Sequence, residues 1–269
     1  MKRRNLVAAI QLTSTADVEA NLARAGALVR EAASRGAVFC GLPENFAFMG
    51  SEAEKARRAE PLDGPTLSRI AGLARELRIH LLAGGFHERA PVPEKVHNTA
   101  VLFGPDGERL AVYRKIHLFD VSLPGGQHFR ESEWVVPGAE PVVVETELGT
   151  LGLSICYDLR FPELYRALCA RGAEILLVPA AFTLYTGKDH WHALLRARAI
   201  ENLAYVLAPA QFGQHHEKRW SYGKSVLIDP WGIVVAQAPD REGLALGEID
   251  LDALAQIRAE LPALSHRRL

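Results

Sequence analysis

Three stretches of the chain each carry an apolar run to a side chain that can do chemistry. "VFCGLPE" ends on Glu44, "RLAVYRKIHLF" carries Lys115, and "LGLSICYD" carries Cys156. Strand ends in α/β folds gather at one edge, where sites are built. A carboxylate, an ammonium and a thiol gathered there suit acyl transfer. A free thiol has a pKa near ~8.5 and needs a base at neutral pH. Glu44 can take its proton and later hand it to a leaving amine. Lys115 can stabilise the oxyanion, with the backbone N–H of Tyr157 as a second donor. The run "SICYDLRFPELY" turns sharply after Cys156 and restarts as a helix at Pro162. Such a turn would expose the sulfur and aim the Tyr157 N–H beside it. Taken singly, each residue has a plainer reading: a loop glutamate after proline, an edge lysine, a core cysteine. Their combination with the turn favours catalysis.

The elements that must position these residues read as α/β. Strands are expected at Leu6–Gln11, Ala37–Leu42, His80–Gly84, Asn98–Phe103, Arg109–Arg114, Val142–Glu145, Leu151–Ile155, Ile175–Pro179, Ala204–Ala208, Ser225–Ile228, Ile233–Ala236 and Gly243–Ile249. Helical patterns cover Asp17–Ser34, Thr66–Arg78, Pro162–Arg171, Asp189–Glu201 and Leu251–Glu260. Asp17 is placed to cap the first helix, with Gly36 beyond its end. "GPDG" at 104–107 joins two strands as a hairpin. Periodicity leaves open two packed sheets with helices outside or one large mixed sheet. The 269 residues, 48% of them hydrophobic, suit a single domain over 1–269.

Composition removes several function classes. A net charge of −1 gives no electrostatic case for nucleic acid or an anionic membrane. No apolar run approaches the ~20 residues of a membrane span. "MKRRNLVAAIQL" has too short an apolar run for a signal peptide and reads as a first strand. Three cysteines make no disulfide framework and fit a cytoplasmic protein. Cys40 and Cys169 read as small buried residues, and no spacing suggests a metal site. Among the histidines, His117 would share the face of Lys115 along one strand and reads as a hydrogen-bonding residue. His190 with His192, and His215 with His216, are poorly spaced for chelation. Phe182 and Thr186 follow a strand end, where they either line a cavity or pack. The run "QHHEKR" at 214–219 is either a solvated loop or a substrate contact.

"GLPENF", "YRKIHLFDV", "FRESEWVVPG" and "SICYDLRFPELY" together resemble the nitrilase superfamily of carbon–nitrogen hydrolases, over about Leu6 to Arg268. The resemblance implies a Glu–Lys–Cys triad at Glu44, Lys115 and Cys156. It implies a second glutamate at Glu131 that holds the lysine and orients the substrate amide. It also implies a four-layer α-β-β-α sandwich, a homodimer, and no metal or organic cofactor. "PAAFTLYTGKDHWHALLRARAIEN", "QFGQHHEKRWSYGKS" and "DPWGIVVA" are similar to the branch of deaminated glutathione amidases and omega-amidases. The expected substrate is then a small linear amide, with Lys218 or Arg219 meeting one of its carboxylates. Leu184, Tyr185 and Trp220 depart from that pattern at positions that could line the pocket. Alternatives are an omega-amidase acting on α-ketoglutaramate, a nitrile hydrolase, an N-carbamoyl amidohydrolase, and a non-hydrolytic binding or redox-sensing thiol protein.

Overall fold

A strand that is apolar on both faces needs cover on both, and this requirement lays out the molecule. The computed structural model describes residues 4–123, 127–217 and 219–268. Along the chain run β1 (Arg4–Gln11), α1 (Val18–Ser34), β2 (Phe39–Gly41), α2 (Glu52–Arg57), α3 (Pro65–Leu77), β3 (His80–Arg89), β4 (Val96–Phe103) and β5 (Arg109–Arg114). There follow β6 (Asp120–Leu123), β7 (Gln127–Arg130), β8 (Val142–Thr146), β9 (Gly149–Leu153), α4 (Pro162–Ala170), β10 (Ile175–Leu177) and α5 (Leu184–Asn202). The chain closes with β11 (Tyr205–Ala208), β12 (Phe212–His216), β13 (Arg219–Tyr222), β14 (Val226–Ile228), β15 (Val234–Gln237), β16 (Gly243–Asp250) and α6 (Leu251–Glu260).

Two six-stranded sheets form, in the orders β16-β1-β2-β3-β4-β5 and β15-β14-β11-β10-β9-β8. In each, three central strands run parallel and antiparallel strands flank them. Alternation along β1 sorts the two sides. Val7 and Ala9 join the core between the sheets, while Ala8 and Ile10 join the core beneath α1 and α3. Phe39 against Cys40, and Leu82 against Leu81 and Ala83, divide the same way. On the second sheet, Leu164, Tyr165 and Leu168 of α4 and Trp191, Leu195 and Ala199 of α5 close the outer side. The result is an α-β-β-α sandwich, the two-sheet alternative. Asp17 caps α1 through the Ala20 N–H, and Gly107 donates to Gly104 in the β4–β5 turn, both as expected.

The structure departs from the sequence reading in the loops. The segment read as a possible solvated loop at 214–219 lies largely within the hairpin β12–β13, whose pairing runs from Phe212↔Tyr222 to His216↔Arg219. The β6–β7 hairpin and the short helix α2 also had no counterpart. Helix α5 starts at Leu184 rather than Asp189, because Thr183 accepts from the Thr186 N–H as its cap. Strand β5 stops at Arg114, so His117 and Lys115 do not share a strand face. Leu184, Tyr185 and Trp220 are exposed, and none lines the main cavity.

Gly84 shows how tightly the two halves approach. A Cβ there would lie 2.3 Å from both the Leu42 carbonyl oxygen and the Pro179 Cβ. Neither neighbour is a flexible side-chain tip, so an added methyl group must move backbone. Gly84→Ala should therefore cost about 1–3 kcal/mol or more, read as a clear fall in the thermal unfolding midpoint. An unchanged midpoint would mean that the approach is looser than this.

Candidate active site

Each reactive residue sits just past a strand end. Glu44 follows β2, Lys115 follows β5, and Cys156 follows β9. Glu44 and Lys115 therefore come from one sheet and Cys156 from the other. Cys156 opens a tight 3-10 turn, Cys156–Arg160, that leads into α4 at Pro162. Its φ of 49° lies in the left-handed region, which costs an ordinary residue roughly 1–2 kcal/mol. Neighbours hold the turn in place. The Cys156 N–H donates to the Pro179 carbonyl at 2.9 Å, and the Ile155 N–H donates to Asp158 Oδ2 at 2.9 Å.

Asp158 is fully buried and joins the elbow to the lysine loop. It also accepts from the Tyr113 hydroxyl at 2.7 Å and from the His117 backbone N–H at 3.0 Å, and it bonds His117 Nδ1 at 2.7 Å. The His117 ring stacks on Phe161 with centroids 3.7 Å apart. His117 is thus the hydrogen-bonding residue the sequence suggested.

The Lys115 ammonium is 1% exposed. It donates to Glu131 Oε1 and Oε2 at 2.9 and 2.8 Å, and to Glu44 Oε1 at 3.3 Å. Glu44 also accepts from Asn98 Nδ2 at 2.8 Å and from the Ala181 N–H at 2.8 Å. Glu131 Oε2 accepts in addition from the Phe119 N–H at 2.6 Å. Gly85, at φ +60°, leaves room for this packing, since a Cβ there would lie 2.6 Å from Glu44 Cγ.

These contacts set the protonation states. Burial pushes the Glu44 carboxyl up, but the Lys115 charge, with hydrogen bonds from Cys156 and Asn98 and the charge of Arg219, holds it well below the usual carboxylate range. Burial would lower Lys115, yet Glu131 and Glu44 raise it well above an ordinary lysine. Burial and the Glu44 charge push the Cys156 thiol far up, and Lys115 only partly opposes them. The site therefore holds a neutral thiol beside a carboxylate and an ammonium. Burial also pushes up Cys40, to about 12, and Cys169, to about 11, and neither lines the cavity.

A cavity of about 660 Å³ opens onto this group. Glu44, Lys115, Glu131, Cys156, Tyr157, Phe182, Thr186 and Arg219, all expected from the sequence, line it. Lys218 lies outside the described residues. The Cys156 sulfur is not surface-exposed as the sharp turn suggested, because the residue is 9% exposed and faces this cavity. The Tyr157 N–H lies in the first turn of the 3-10 segment, where backbone donors lack intrahelical acceptors. Thr186 bonds Thr183 Oγ1 through its hydroxyl at 2.8 Å, so it steadies the Thr183 cap of α5 as well as lining the wall. Phe182 packs on Trp191 while facing the cavity, which joins the two readings open for it.

Sequence reasoning missed Asn98, Arg160 and His87, which also line the cavity. Arg160 had a readable signal: a cation four residues past Cys156, within one tight turn. Its guanidinium lies over the rings of Phe182 and Tyr157. His87 bonds Asn45 Oδ1 at 2.8 Å, and burial with the Lys55 charge pushes it down to about 3. It is a neutral wall, not a proton shuttle. Among the described residues, no group of His, Cys, Asp or Glu could hold a metal ion, and no helix is long and apolar enough to cross a membrane.

The chain matches the carbon–nitrogen hydrolase family over residues 6–259. It is 49% identical over 269 residues to the deaminated glutathione amidase of Synechocystis sp., covering 97% of each chain. The Caenorhabditis elegans NitFhit protein superposes with a TM-score of 0.93 at 43% identity; the match covers 98% of this chain and 65% of that one. Saccharomyces cerevisiae Nit3, a member of the nitrilase superfamily, superposes with a TM-score of 0.89 at 32% identity, covering 99% and 97%. Fold, strand-end residues and sequence agree, and the chain belongs to the carbon–nitrogen hydrolase family of the nitrilase superfamily.

Proposed function

We propose that this protein is a deaminated glutathione amidase, cleaving the amide between the α-ketoglutaryl unit and cysteinylglycine through a thioester on Cys156. The observation that carries the reading is the Cys156 thiol facing the same cavity as a buried carboxylate, Glu44, and a buried ammonium, Lys115. The Synechocystis relative of that name supports the substrate.

The chemistry follows from the protonation states. As the Cys156 sulfur attacks the amide carbon, its proton passes to Glu44. The carbonyl oxygen gains negative charge, which Lys115 and the Tyr157 N–H stabilise. One such donor is worth roughly 3 kcal/mol of barrier. Collapse of the tetrahedral species breaks the carbon–nitrogen bond, and Glu44 returns its proton to the amine, which leaves as cysteinylglycine. Water then attacks the thioester, again losing a proton to Glu44. Sulfur departs, taking that proton back, and α-ketoglutarate is released. Glu131 keeps Lys115 in place through both half-reactions.

Substrate size and charge fit the cavity. Its volume of about 660 Å³ leaves room for a dipeptide leaving group beyond a five-carbon keto acid. Arg160 and Arg219 line it, and among the described residues neither pairs with a carboxylate. Arg219 donates to the Ala181 carbonyl at 2.9 Å and lies over the Phe129 ring. Deaminated glutathione has two carboxylates for which unpaired guanidinium groups are suited.

Cys156→Ala should fold with an unchanged melting temperature and lose at least about 10³-fold in kcat, because the covalent path needs the sulfur. Rapid acid quench and mass spectrometry of the wild type should find the acyl group on Cys156. An acyl group on Cys40 or Cys169 would overturn the assignment.

The pH dependence has a definite sign. The active form has Glu44 ionised and the thiol protonated. The acid limb of kcat/KM should lie below the ordinary carboxylate pKa of about 4.3 and the alkaline limb above the ordinary thiol value of about 8.5. The profile should be flat across neutrality. A rise centred near pH 8.5 would mean that a thiolate must form before attack.

Arg160→Ala and Arg219→Ala test the substrate. Each should lower kcat/KM for deaminated glutathione about tenfold or more, since a charge-assisted bond is worth roughly 1.5–3 kcal/mol. Parallel assays on α-ketoglutaramate separate the carboxylates. A loss on both substrates with an unchanged melting temperature marks the keto-acid end, and a loss on deaminated glutathione alone marks the glycine end. No loss from either variant would remove the carboxylate contacts from the reading.

A further inference from the structure

Asn98, in β4, meets two glutamates at once. Its Nδ2 donates to Glu44 Oε1 at 2.8 Å and to Glu131 Oε1 at 3.3 Å, while its backbone carbonyl accepts from the Lys115 N–H at 2.8 Å. Two carboxylates as acceptors fix the orientation of the amide, since an oxygen cannot occupy that place. The other half of the amide is left over. Asn98 Oδ1 is buried and, among the described residues, no donor reaches it. A buried carbonyl without a partner is a standing cost. Its retention calls for a gain on the amino side.

That gain is visible in the charges. Glu44 and Glu131 share one ammonium, so the pair carries one negative charge more than Lys115 neutralises. Like charges at such range favour protonation of one carboxyl. A protonated Glu44 could not accept the thiol's proton. Serine or threonine would supply one donor where two acceptors wait, aspartate would add a third negative charge, and lysine would compete with Lys115. A carboxamide is neutral and offers two N–H bonds from one nitrogen. The other groups facing Glu44 are Lys115, the Cys156 thiol, Arg219, the Ala181 N–H and the neutral His87.

We propose that Asn98 is a positioning residue of the reaction: its single NH2 group clamps Glu44 and Glu131 about Lys115 and keeps Glu44 available as the base. This rests on the role given to Glu44 above. Asn98 acts through the two glutamates and not on the substrate.

The experiment uses Asn98→Leu, which keeps the approximate volume and removes both donors, and Asn98→Ser, which keeps one. Two readouts are followed against pH: kcat/KM for deaminated glutathione, and the rate of Cys156 alkylation by iodoacetamide, which needs no turnover. Asn98→Leu should lower kcat at least about tenfold with KM within about threefold. Its acid limb should move up by about one pH unit in both readouts, with Asn98→Ser between it and the wild type. A merely structural asparagine would lower the melting temperature and leave the acid limb where it was, which overturns the proposal. So does a rise in KM alone, which would assign the amide to the substrate through Oδ1. If Asn98→Leu does not fold, Asn98→Ser carries the same two outcomes. A wild type that is alkylated with the expected acid limb but does not hydrolyse deaminated glutathione would refute the substrate and leave the clamp to be judged on the alkylation profile.

Discussion

A lysine ammonium with almost no contact with water is the constraint around which the site is built. Burying a charge unpaired costs several kcal/mol, and removing one partner of a buried pair commonly costs about 3–5 kcal/mol. Lys115 is accommodated because Glu44 and Glu131 reach it from segments far apart in sequence. Those carboxylates must themselves be satisfied, and the donors are Asn98, the Ala181 N–H and the Phe119 N–H. One buried charge thus ties together β2, β4, the chain after β5, the turn after β7 and the chain after β10. Burial and the Glu44 charge together push the Cys156 thiol well above its ordinary value, which keeps it protonated.

The second constraint is the backbone at Cys156. A residue with a side chain at positive φ persists only where its surroundings over-determine it. Asp158 supplies much of that determination. It fixes Ile155 on one side of the sulfur and His117 in the lysine loop on the other. Tyr113, the penultimate residue of β5, completes its shell. Cys156 and Lys115 are thereby coupled through a buried carboxylate that does not line the cavity.

How much of this was legible depended on whether burial or pairing creates the element. Strands β1 to β5 and β8 to β11 bury apolar faces, and their alternation or length gave them away. Glu44, Lys115 and Cys156 were legible because each ends such a run. The hairpins β6–β7 and β12–β13 have no such pattern. In "FGQHH", only His215 is buried, and it is held by Ser14 and Ser221 rather than by apolar packing. Helix α2 buries no residue fully, and its start rests on a Ser51–Glu54 capping box. The first turn of α5 was hidden by Gly187, a poor helix former. That glycine is there because Tyr222 packs where its Cβ would be, at 2.3 Å. Asn98 and Asp158 were visible as letters but not as roles, because their value lies in partners dozens of residues away.

The division of labour between sheets and hairpins follows from these origins. Glu44 is anchored across the sandwich: its Oε2 accepts from the Ala181 N–H beyond β10, and its backbone carbonyl accepts from Gln211 at 3.0 Å. Cys156 is bonded to Pro179 of that same segment. The distance between Glu44 and Cys156 is therefore set by how the two sheets pack, and a close-packed interior does not deform continuously. Much of the cavity wall has a different origin. Phe129 and Arg130 come from β7, and His216 and Arg219 from the β12–β13 hairpin. Arg219 over the Phe129 ring joins the two hairpins. Arg219 also donates to the Ala181 carbonyl, so its hairpin touches the segment whose N–H holds Glu44. The placement of Glu44 against Cys156 thus belongs to the sheets, while much of the wall around them belongs to the hairpins. Arg160 is the exception among the cavity cations: it shares the tight turn of Cys156, so its guanidinium is held in fixed register with the sulfur.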